Sequence, residues 1–250
     1  MKENNPELVD NGTIRRKTIV SILCFCLFLA AVVLAWFWIK DSPKASGAAQ
    51  PLRTVLDKNE ALFGKTLDKQ LTPVYPKEQA AKKVRVNGYY GIKSPLDSNE
   101  WRLKVVKGPG DTLFLTIDQL KELPKIDFAF NFKCIEGWSQ ISHWGGVRFS
   151  DFIKHFHLEE LAKREYVGLV TPDKEYYVGI DMKSMMHPQT ILCYEVNEKP
   201  LPLNQGFPLR LIIPVKYGVK HLKRIGTMTF SDQRPPDYWY EKGYDYFTGL

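Results

Sequence analysis

Cys134 stands where a predicted strand ends and a turn begins, in the segment 125–139 with the sequence KIDFAFNFKCIEGWS. Phe128, Phe130 and Phe132 alternate with mostly polar residues, which is the period of a strand that buries one face. A sheet fixes the backbone at such a strand end, and the glycine in the following turn leaves the side chain accessible. The thiol of Cys134 is therefore a candidate metal ligand.

A basic segment further along the chain is the second candidate for chemistry. From Lys199 to Ser231 there is no Asp or Glu, so the net charge of +7 is unevenly spread. Charge of one sign over such a length predicts a site for an anion. Arg210 is the strongest candidate for direct contact, because it alternates with Leu209 and Leu211 in an otherwise apolar strand. The basic residues of the segment are Lys199, Arg210, Lys216, Lys220, Lys223 and Arg224.

The four cysteines divide by position. Cys24 and Cys26 lie in a long apolar run, where a thiol behaves as a small apolar side chain or an acylation site. Cys134 and Cys193 remain for the folded domain, and in an oxidising compartment a disulfide between them is the alternative to a metal ligand.

The five histidines form no metal-binding pattern. His155 and His157 are two residues apart on a predicted helix and therefore point to different faces, and His187 belongs to a turn. His143 and Trp144 follow Cys134 closely, so they are expected either to line a substrate entrance or to pack in the core.

Residues 18–39 are uncharged and almost wholly apolar. At about 1.5 Å per residue they form about 33 Å of helix, enough to cross a hydrocarbon core about 30 Å thick. Arg15, Arg16 and Lys17 precede this span. The positive-inside rule therefore places the short N-terminus in the cytoplasm and the residues after Lys40 on the other side of the membrane.

Two export signals are alternatives to a permanent anchor. Residues 45–49 offer small side chains for a signal peptidase, although the apolar run is longer than a usual signal-peptide core. The pair Arg15 and Arg16 loosely matches a twin-arginine signal, which exports a protein already folded around its cofactor. An extracytoplasmic location disfavours nucleic acid as the anion, and a membrane surface would require an amphipathic helix in the basic segment. A phosphorylated cofactor fits better.

The sequence beyond the span predicts one α+β domain with mixed sheets. A chain of 250 residues, 44% hydrophobic and 25% charged, has room for an N-terminal appendage and one folded domain. Helices do not alternate regularly with the strands, so a doubly wound α/β sheet is not expected. The predicted strands are residues 84–87, 101–106, 113–115, 126–132, 166–170, 176–180, 191–196 and 209–215.

Three helices are predicted between these strands. A short one covers about residues 54–71, a capping box at Thr116 and Gln119 begins the second, and Ser150 is predicted to cap the third, which runs towards Leu161. The domain boundaries follow from these elements. They are a cytoplasmic N-terminus at 1–17, a transmembrane anchor at 18–39, a stalk and lead-in at 40–83, and the main domain at 84–250.

The main domain resembles the molybdopterin-binding domain of the sulfite oxidase family. Four pieces in order carry the resemblance: the helix opening at Thr116, the strand leading to Cys134, the run NEKPLP to GFPLR at 197–210, and PVKYGVKHLK at 214–223. Each piece alone is weak, but their order and separations are specific. The resemblance implies the α+β fold of that family, here preceded by one N-terminal transmembrane helix.

The same resemblance implies roles for individual residues. Cys134 would be the catalytic residue and bind molybdenum as a thiolate, beside the dithiolene sulfurs of the pterin. Arg210 would clamp the pterin phosphate, with Lys223 and the backbone near His221 completing the cradle. Asn87 is alternatively the start of a turn. The remaining implied cofactor contacts are Asn87, Tyr89, Thr171 and Gln205.

The residues after Cys134 are similar to those of the methionine-sulfoxide-reducing branch of the family. The sulfite-oxidising branch has basic residues soon after its cysteine, whereas Glu136 and Trp138 stand here. Sulfite is an anion and favours a guanidinium beside the metal. The expected reaction is therefore two-electron oxygen-atom transfer from an uncharged S-oxide or N-oxide such as methionine sulfoxide, with sulfite oxidation as the alternative.

The sequence contains no haem-attachment motif and no second cysteine set for an iron–sulfur cluster, so molybdenum-pterin is the expected cofactor. Electrons are then expected from a membrane haem or quinol partner, which the anchor would hold close. The chain ends at Leu250 without the extension through which sulfite oxidases dimerise, so a monomer is expected. The expected location is the inner membrane, single-pass, with a periplasmic catalytic domain. The competing class is a non-enzymatic cell-surface module that binds a polyanion or a partner protein.

Overall fold

The computed structural model of the chain describes residues 10–67, 71–97 and 99–249. Its helices are α1 (Asn11–Asp41), α2 (Gln50–Leu67), α3 (Ile117–Lys121), α4 (Phe149–His155) and α5 (Met182–Met185). Its first strands are β1 (Lys44–Ala45), β2 (Ala48–Ala49), β3 (Val74–Tyr75), β4 (Leu103–Gly108), β5 (Asp111–Leu115) and β6 (Lys125–Lys133). They are followed by β7 (Ser139–Arg148), β8 (Tyr166–Val170), β9 (Tyr177–Asp181), β10 (Ile191–Val196), β11 (Lys199–Pro200), β12 (Arg210–Ile212) and β13 (Thr227–Ser231).

Two sheets build the domain. The first has the order β11-β10-β7-β6-β3, with β12 added beside β10, and its strand pairs are antiparallel. The second has the order β5-β4-β13-β8-β9 and is mixed, because β13 pairs with β4 in parallel and with β8 antiparallel. The expected α+β architecture with mixed sheets is confirmed.

The first sheet has two buried faces. Leu192 and Leu211 point to the main core, which also contains Leu103, Leu169 and Met228 of the second sheet. The opposite face carries a smaller cluster that is rich in aromatic side chains. Its buried members are Phe130, Phe132, Cys134, Trp144, Ile191, Cys193, Val196, Leu201 and Ile212. Both candidate cysteines thus lie on one side of one sheet.

Strand β7 was not predicted from the sequence, although its residues 139–147 pair with the whole of β6. Gly145 and Gly146 interrupt its apolar pattern. A Cβ on Gly146 would lie 2.2 Å from the backbone oxygen of Leu192, so close approach of β10 requires glycine there. The residue that weakens the strand signal is therefore the one that lets the central strands pair.

The predicted strand at 84–87 is wrong. This segment is irregular, and its backbone is bonded by side chains instead of by a neighbouring strand. Gln140 Oε1 accepts from the Arg85 amide at 2.8 Å, and Gln205 Nε2 donates to the carbonyl of Val84 at 3.1 Å. These side-chain amides satisfy backbone groups that a neighbouring strand would otherwise bond. The alternation of apolar and polar residues in one segment does not show which of the two partners is present.

The helix predictions hold with shifted ends. The capping box of Thr116 and Gln119 is confirmed at α3. Ser150 is not the N-cap of α4, because Arg148 occupies that position and the helix ends at His155, with Leu161 in a separate 3-10 turn. The Phe149 amide donates to the carbonyl of Thr190, and the helix starts at Phe149, two residues earlier than predicted.

Helix α1 is long and apolar enough to cross a membrane, and the predicted span at 18–39 lies wholly inside it. After it, β1 and β2 form a small hairpin that leads directly into α2. The hairpin packs on the backbone of the turn at residues 240–244: a Cβ on Gly47 would lie 2.4 Å from the Glu241 oxygen. The N-terminal segment is therefore joined closely to the domain.

Arg53 of α2 stabilises the contact between the β1–β2 hairpin, α2 and the turn at residues 240–244, which we call the joint. It is 4% exposed, and its guanidinium donates to the carbonyls of Ser46 at 2.7 Å, Tyr244 at 2.8 Å and Tyr240 at 3.1 Å. The same group stacks 4.1 Å above the ring of Tyr240. One buried cation thus ties the hairpin, α2 and the turn at residues 240–244 together.

Arg53→Met is expected to loosen the joint, because its carbonyl acceptors lose their charged donor. Amide hydrogen exchange should quicken at least about tenfold in residues 44–49 and 240–245, corresponding to about 1.4 kcal/mol of local stability, and stay unchanged in β6 and β7. Arg102→Met is the matched control, since the bonds of exposed Arg102 within the described part of the chain go to the nearby carbonyls of Asn99 and Trp101. Equal exchange in both variants would contradict the role of Arg53.

Candidate active site

Cys134 directly follows β6 and begins the turn into β7. Its amide donates to the carbonyl of Trp138 at 2.9 Å, and its carbonyl accepts from the amide of Gly137 at 3.0 Å. Glu136 Oε2 accepts from the Trp138 indole at 2.9 Å, which fixes the far side of the turn. The turn therefore holds the Cys134 thiol in one place at the end of a rigid hairpin.

A cavity of about 330 Å³ opens beside this thiol. It lies between the Cys134 turn, the irregular segment that includes Asn87, and the chain that follows β12. Its lining residues are Asn87, Gly88, Tyr90, Cys134, Ile135, Glu136, Tyr176, Gly218, Val219, His221, Lys223, Trp239 and Tyr244. The predicted ligand and three of the predicted cofactor contacts thus share one cavity.

The Cys134 thiol is protected but reachable. It is 6% exposed, and burial raises its pKa above the ordinary thiol value, opposed by a backbone hydrogen bond at Glu136. Without a metal the sulfur is therefore protonated at neutral pH. Binding a metal ion releases that proton and satisfies the sulfur as a thiolate ligand.

Cys134 is not in a disulfide. Cys134 and Cys193 are both free thiols, so the alternative raised by the sequence does not hold. Cys193 is fully buried, donates to the carbonyl of Glu195 at 3.2 Å, and has a pKa raised to about 12 by burial. It is an inert core residue, which leaves Cys134 available.

Arg210 lies in β12 opposite Cys193, on the same face of the sheet as the Cys134 cluster. It is fully buried, and its guanidinium stacks 4.5 Å from the ring of Trp144. Nη1 donates to the side-chain oxygen of Gln205 at 2.7 Å and to its carbonyl at 3.1 Å. Burial lowers the pKa of Arg210 to about 10, so it remains a cation at neutral pH.

The other edge of the Arg210 guanidinium has no partner in the part of the chain that the structure describes. Nε and Nη2 are buried and make no hydrogen bond to the described residues. These two nitrogens present the parallel N–H pair that binds two oxygens of a phosphate. Burying a cation whose N–H groups lack acceptors costs folding free energy, unless a bound anion accepts from them.

Lys223 is the second buried cation of the site. Its Nζ donates to the carbonyl of Gly88 at 2.7 Å, and burial, followed by the charge of Arg210, lowers its pKa to about 7. His221 beside it is neutral, because burial and then Arg210 lower its pKa to about 3. Its Nδ1 accepts from the Ile213 amide and its Nε2 donates to the Lys216 carbonyl.

These residues fit a phosphorylated molybdenum cofactor. A soft sulfur ligand and a neutral imidazole line one cavity with Lys223, and the charge of Arg210 is near enough to lower the pKa of Lys223. The unmet N–H groups of Arg210 call for an anion with at least two acceptor oxygens. In the metal-bound protein Cys134 would hold the molybdenum, and Arg210 and Lys223 the phosphate.

The pKa of Lys223 predicts pH-dependent anion binding by the cofactor-free protein. Sulfate is the suitable probe, since its charge is constant between about pH 6 and about pH 9. Below about pH 7 Lys223 is protonated and contributes to binding, and its proton is lost as the pH rises. Sulfate affinity should therefore fall by up to about tenfold for each unit above about pH 7. Titration calorimetry measures this change.

Lys223→Met is the companion variant for that titration. It should bind sulfate weakly and with the same affinity across the range, because His221 is neutral throughout. A wild-type affinity that does not change between about pH 6 and about pH 9 would show that Lys223 does not contact the anion.

Gln205 and Asn87 support the site in different ways. Gln205 is 3% exposed and joins Arg210 to the backbone of the irregular segment at 84–87. It therefore orients the guanidinium and does not line the Cys134 cavity. Asn87 does line the cavity, and its Nδ2 donates to the carbonyl of Gly218 at 3.1 Å.

Two of the implied cofactor contacts lie elsewhere in this structure. Tyr89 is 62% exposed and is not in the cavity wall, where its neighbour Tyr90 stands instead. Thr171 is buried, donates to Asp173 at 2.6 Å, and borders a separate open cavity. Both remain predictions from the resemblance, without support from the geometry around Cys134.

An aromatic wall opposite Cys134 was missed from the sequence. Tyr90, Tyr176, Trp239 and Tyr244 line the cavity, and Tyr176 donates to the Val219 carbonyl at 2.6 Å. The rings contact one another at centroid distances of 5 to 6 Å, with Tyr238 between them. The density of aromatic residues between Tyr238 and Tyr246 was the available signal.

His143 and Trp144 do not reach this cavity. Trp144 is 1% exposed and supports Arg210 from within the core. His143 bonds Asp127 at 3.2 Å and borders a separate cavity near Lys199. Of the two interpretations left open for this pair, a substrate entrance beside Cys134 is excluded.

A strand-end cysteine, a cationic cradle and an α+β domain of two sheets define a metal-cofactor oxidoreductase domain. The family described as "Oxidoreductase molybdopterin binding domain" matches residues 64–239, and the chain belongs to this family. The match starts upstream of residue 84, and β3 upstream of that point is part of the first sheet.

The chain is similar to proteins that are named as methionine-sulfoxide reductase subunits. It is 36% identical to the putative protein-methionine-sulfoxide reductase subunit YedZ1 of Azospira oryzae, over 72% of this chain and 68% of that protein. It is 31% identical to the protein-methionine-sulfoxide reductase catalytic subunit MsrP of Xanthomonas axonopodis, over 58% of this chain and 49% of that protein. The chain thus spans about half the length of that MsrP.

A solved structure with a related outline is the sulfane dehydrogenase SoxCD from Paracoccus pantotrophus. It matches with a TM-score of 0.49 and 16% identity, over 56% of this chain and 40% of that one. The resemblance to the sulfite oxidase family and its methionine-sulfoxide-reducing branch is confirmed by the family and by the named relatives.

Proposed function

We propose that this chain reduces S-oxides, with protein-bound methionine sulfoxide as the preferred class, at a molybdenum-pterin centre held by Cys134. The observation that carries the proposal is the shared cavity of Cys134, His221 and Lys223, together with the buried Arg210, whose charge acts on Lys223 and whose Nε and Nη2 have no partner among the described residues. When bound, the cofactor supplies two electrons and accepts the oxygen atom. The sulfoxide takes up two electrons and two protons and leaves as a thioether, with the oxygen released as water.

The protein groups around the cavity favour this substrate class. Tyr90, Trp239 and Tyr244 offer aromatic faces and edges, with which a methionine side chain makes favourable contacts. Tyr90 and Tyr244 are 44% and 40% exposed, so a methionine on another protein can reach them. Glu136 lines the same cavity and repels an anion such as sulfite.

The competing functions receive less support. Sulfite oxidation remains the alternative for the same centre, but it would place a dianion beside Glu136. A non-enzymatic surface module is disfavoured by the membership of the chain in an oxidoreductase family.

The structure also supports a retained anchor at α1. Residues 45–49, which offer the small side chains for a signal peptidase, fold into the hairpin whose Gly47 packs on the backbone of residues 241–243. Cleavage there would remove part of a packed joint. The proposed arrangement is a single-pass protein of the inner membrane with its catalytic domain in the periplasm.

Electrons would come from a separate membrane haem or quinol protein, since the sequence has no motif for haem or an iron–sulfur cluster. The proposed catalytic unit is a monomer that contains molybdenum-pterin alone. Lipid contacts would be made by residues 18–39.

An assay with the metal-loaded full chain tests the proposal. With a reduced dye as donor, the detergent-solubilised protein should turn over methionine sulfoxide in peptides and should not oxidise sulfite with an oxidised dye. N-oxides are included to define the substrate class. Turnover of sulfite alone, or a purified protein that lacks molybdenum after growth in molybdenum-rich medium, would refute it.

A further inference from the structure

Helix α2 exposes its apolar residues and docks through its polar ones. Leu52, Val55, Leu62 and Phe63 are between 48% and 65% exposed. At 3.6 residues per turn Leu52, Val55 and Leu62 lie within about 80° of arc and about 15 Å of helix length, and this apolar stripe is interrupted by the exposed Asn59. The stripe contains no charged residue among its members.

The face that contacts the domain is centred elsewhere on the helix. Arg53 is buried in the joint with residues 240–244, and Glu60 accepts from Arg234 at 2.8 Å. Asp57 lies on the same side, 3.9 Å from Arg234. The carboxylates of α2 are thus directed to the domain, away from the apolar stripe.

A helix that folds onto a soluble domain normally buries its apolar side. The inverted arrangement of α2 means that the stripe is covered by something outside the domain. Lipid is the occupant favoured by position. Helix α2 begins where the chain returns from α1, and the Gln50 amide bonds the carbonyl of Pro43, two residues beyond the end of that helix.

The charges near the stripe agree with a lipid surface. Exposed Lys58 flanks the stripe, and Lys40 and Lys44 lie at the end of α1 and in the hairpin. Basic residues beside an apolar stripe are typical of helices that lie in the headgroup region. The neighbouring Trp36 and Trp38, each 65% exposed, are also suited to that interface.

We propose that α2 lies in the outer headgroup layer of the bilayer that α1 spans, with the apolar stripe of Leu52, Val55 and Leu62 facing the acyl chains. This rests on the proposed anchoring by α1. Because Arg53 joins α2 to Tyr244, which lines the Cys134 cavity, one arginine side chain separates the membrane-facing helix from the cavity wall. The cavity is then held close to the membrane surface.

Spin labels along α2 test this arrangement in the full chain. Leu52→Cys, Val55→Cys and Leu62→Cys are placed singly in a Cys24→Ala, Cys26→Ala background, which itself reports any labelling of buried Cys134 and Cys193. The protein is reconstituted in vesicles of phosphatidylethanolamine and phosphatidylglycerol. Power saturation then compares contact with oxygen, which is concentrated in lipid, and with a water-soluble nickel chelate.

We expect a severalfold higher oxygen-to-nickel ratio at the three stripe positions than at Thr54→Cys and Ala61→Cys, which are exposed on the opposite side of α2. Stripe labels as accessible to nickel as these controls would overturn the proposal. Stripe labels shielded from both reagents would overturn it as well, since a protein would then cover the stripe. Phe28→Cys, in the middle of α1, distinguishes the causes. If the Phe28→Cys label is also accessible to the nickel chelate, α1 does not span the membrane and the proposed anchor is wrong. If that label contacts oxygen only, the anchor holds and the placement of α2 is wrong.

Discussion

Cys134→Ser should abolish oxide reduction while leaving the domain folded. Serine replaces a soft thiolate by a hydroxyl that does not ionise, so the metal loses its protein ligand. A bound metal contributes several kcal/mol to the transition state, so we expect the rate to fall at least about a thousandfold. The thiol is 6% exposed in a turn held by backbone bonds, which the substitution preserves. Turnover of methionine sulfoxide with a reduced dye measures the loss.

Cys193→Ser is the matched control for this variant. Cys193 belongs to the same buried cluster as Cys134 but donates to the Glu195 carbonyl, a bond that serine also makes. Its turnover should equal that of the wild type at equal molybdenum content. Equal losses in the two variants would mean that the cluster, and not the ligand, had been damaged. Full turnover in Cys134→Ser would refute the ligand role.

The part of the site that lies on regular elements was predictable from the sequence. Alternation at Phe128, Phe130 and Phe132 located β6, and hence placed Cys134 at a strand end. The single charge in an apolar strand located Arg210. In both cases the signal is local, because the period of one strand determines which side chains share a face.

The remaining parts depend on contacts between distant segments. Gln205 orients Arg210 only because residues 84–87 fold back against it. The aromatic wall forms only when Tyr90 and Tyr176 meet the rings of Tyr238 and Trp239. The spacing of apolar residues along the chain does not indicate contacts between segments that are distant in sequence. The exposure of the α2 stripe was hidden for the same reason, since an apolar pattern does not show whether its partner is the domain or lipid.

Arg210→Met should weaken cofactor binding without destabilising the fold. The two unpaired nitrogens of Arg210 are suited to two charge-assisted bonds to a phosphate, each worth about 1.5–3 kcal/mol. Their loss should weaken cofactor binding about a hundredfold or more. Molybdenum and pterin content per mole of purified protein measures the occupancy, which should fall well below that of the wild type. Arg210→Lys keeps the charge but loses the planar fork, so its occupancy should lie between the two.

The stability of the cofactor-free protein decides whether that loss is specific. Arg210 is a fully buried cation whose pKa is lowered to about 10 by burial, so the apo protein carries an uncompensated charge with two unmet donors. Replacing the charge by an apolar side chain of similar length removes the cost of burying it and of the two unmet donors, which offsets the loss of the two bonds to Gln205. Apo Arg210→Met should therefore unfold in urea at the same concentration as the apo wild type or a higher one. Arg164→Met, which removes an exposed partner of Asp232, is the control for occupancy and should load fully. If apo Arg210→Met is instead clearly less stable, Arg210 is a structural residue and the phosphate is bound elsewhere.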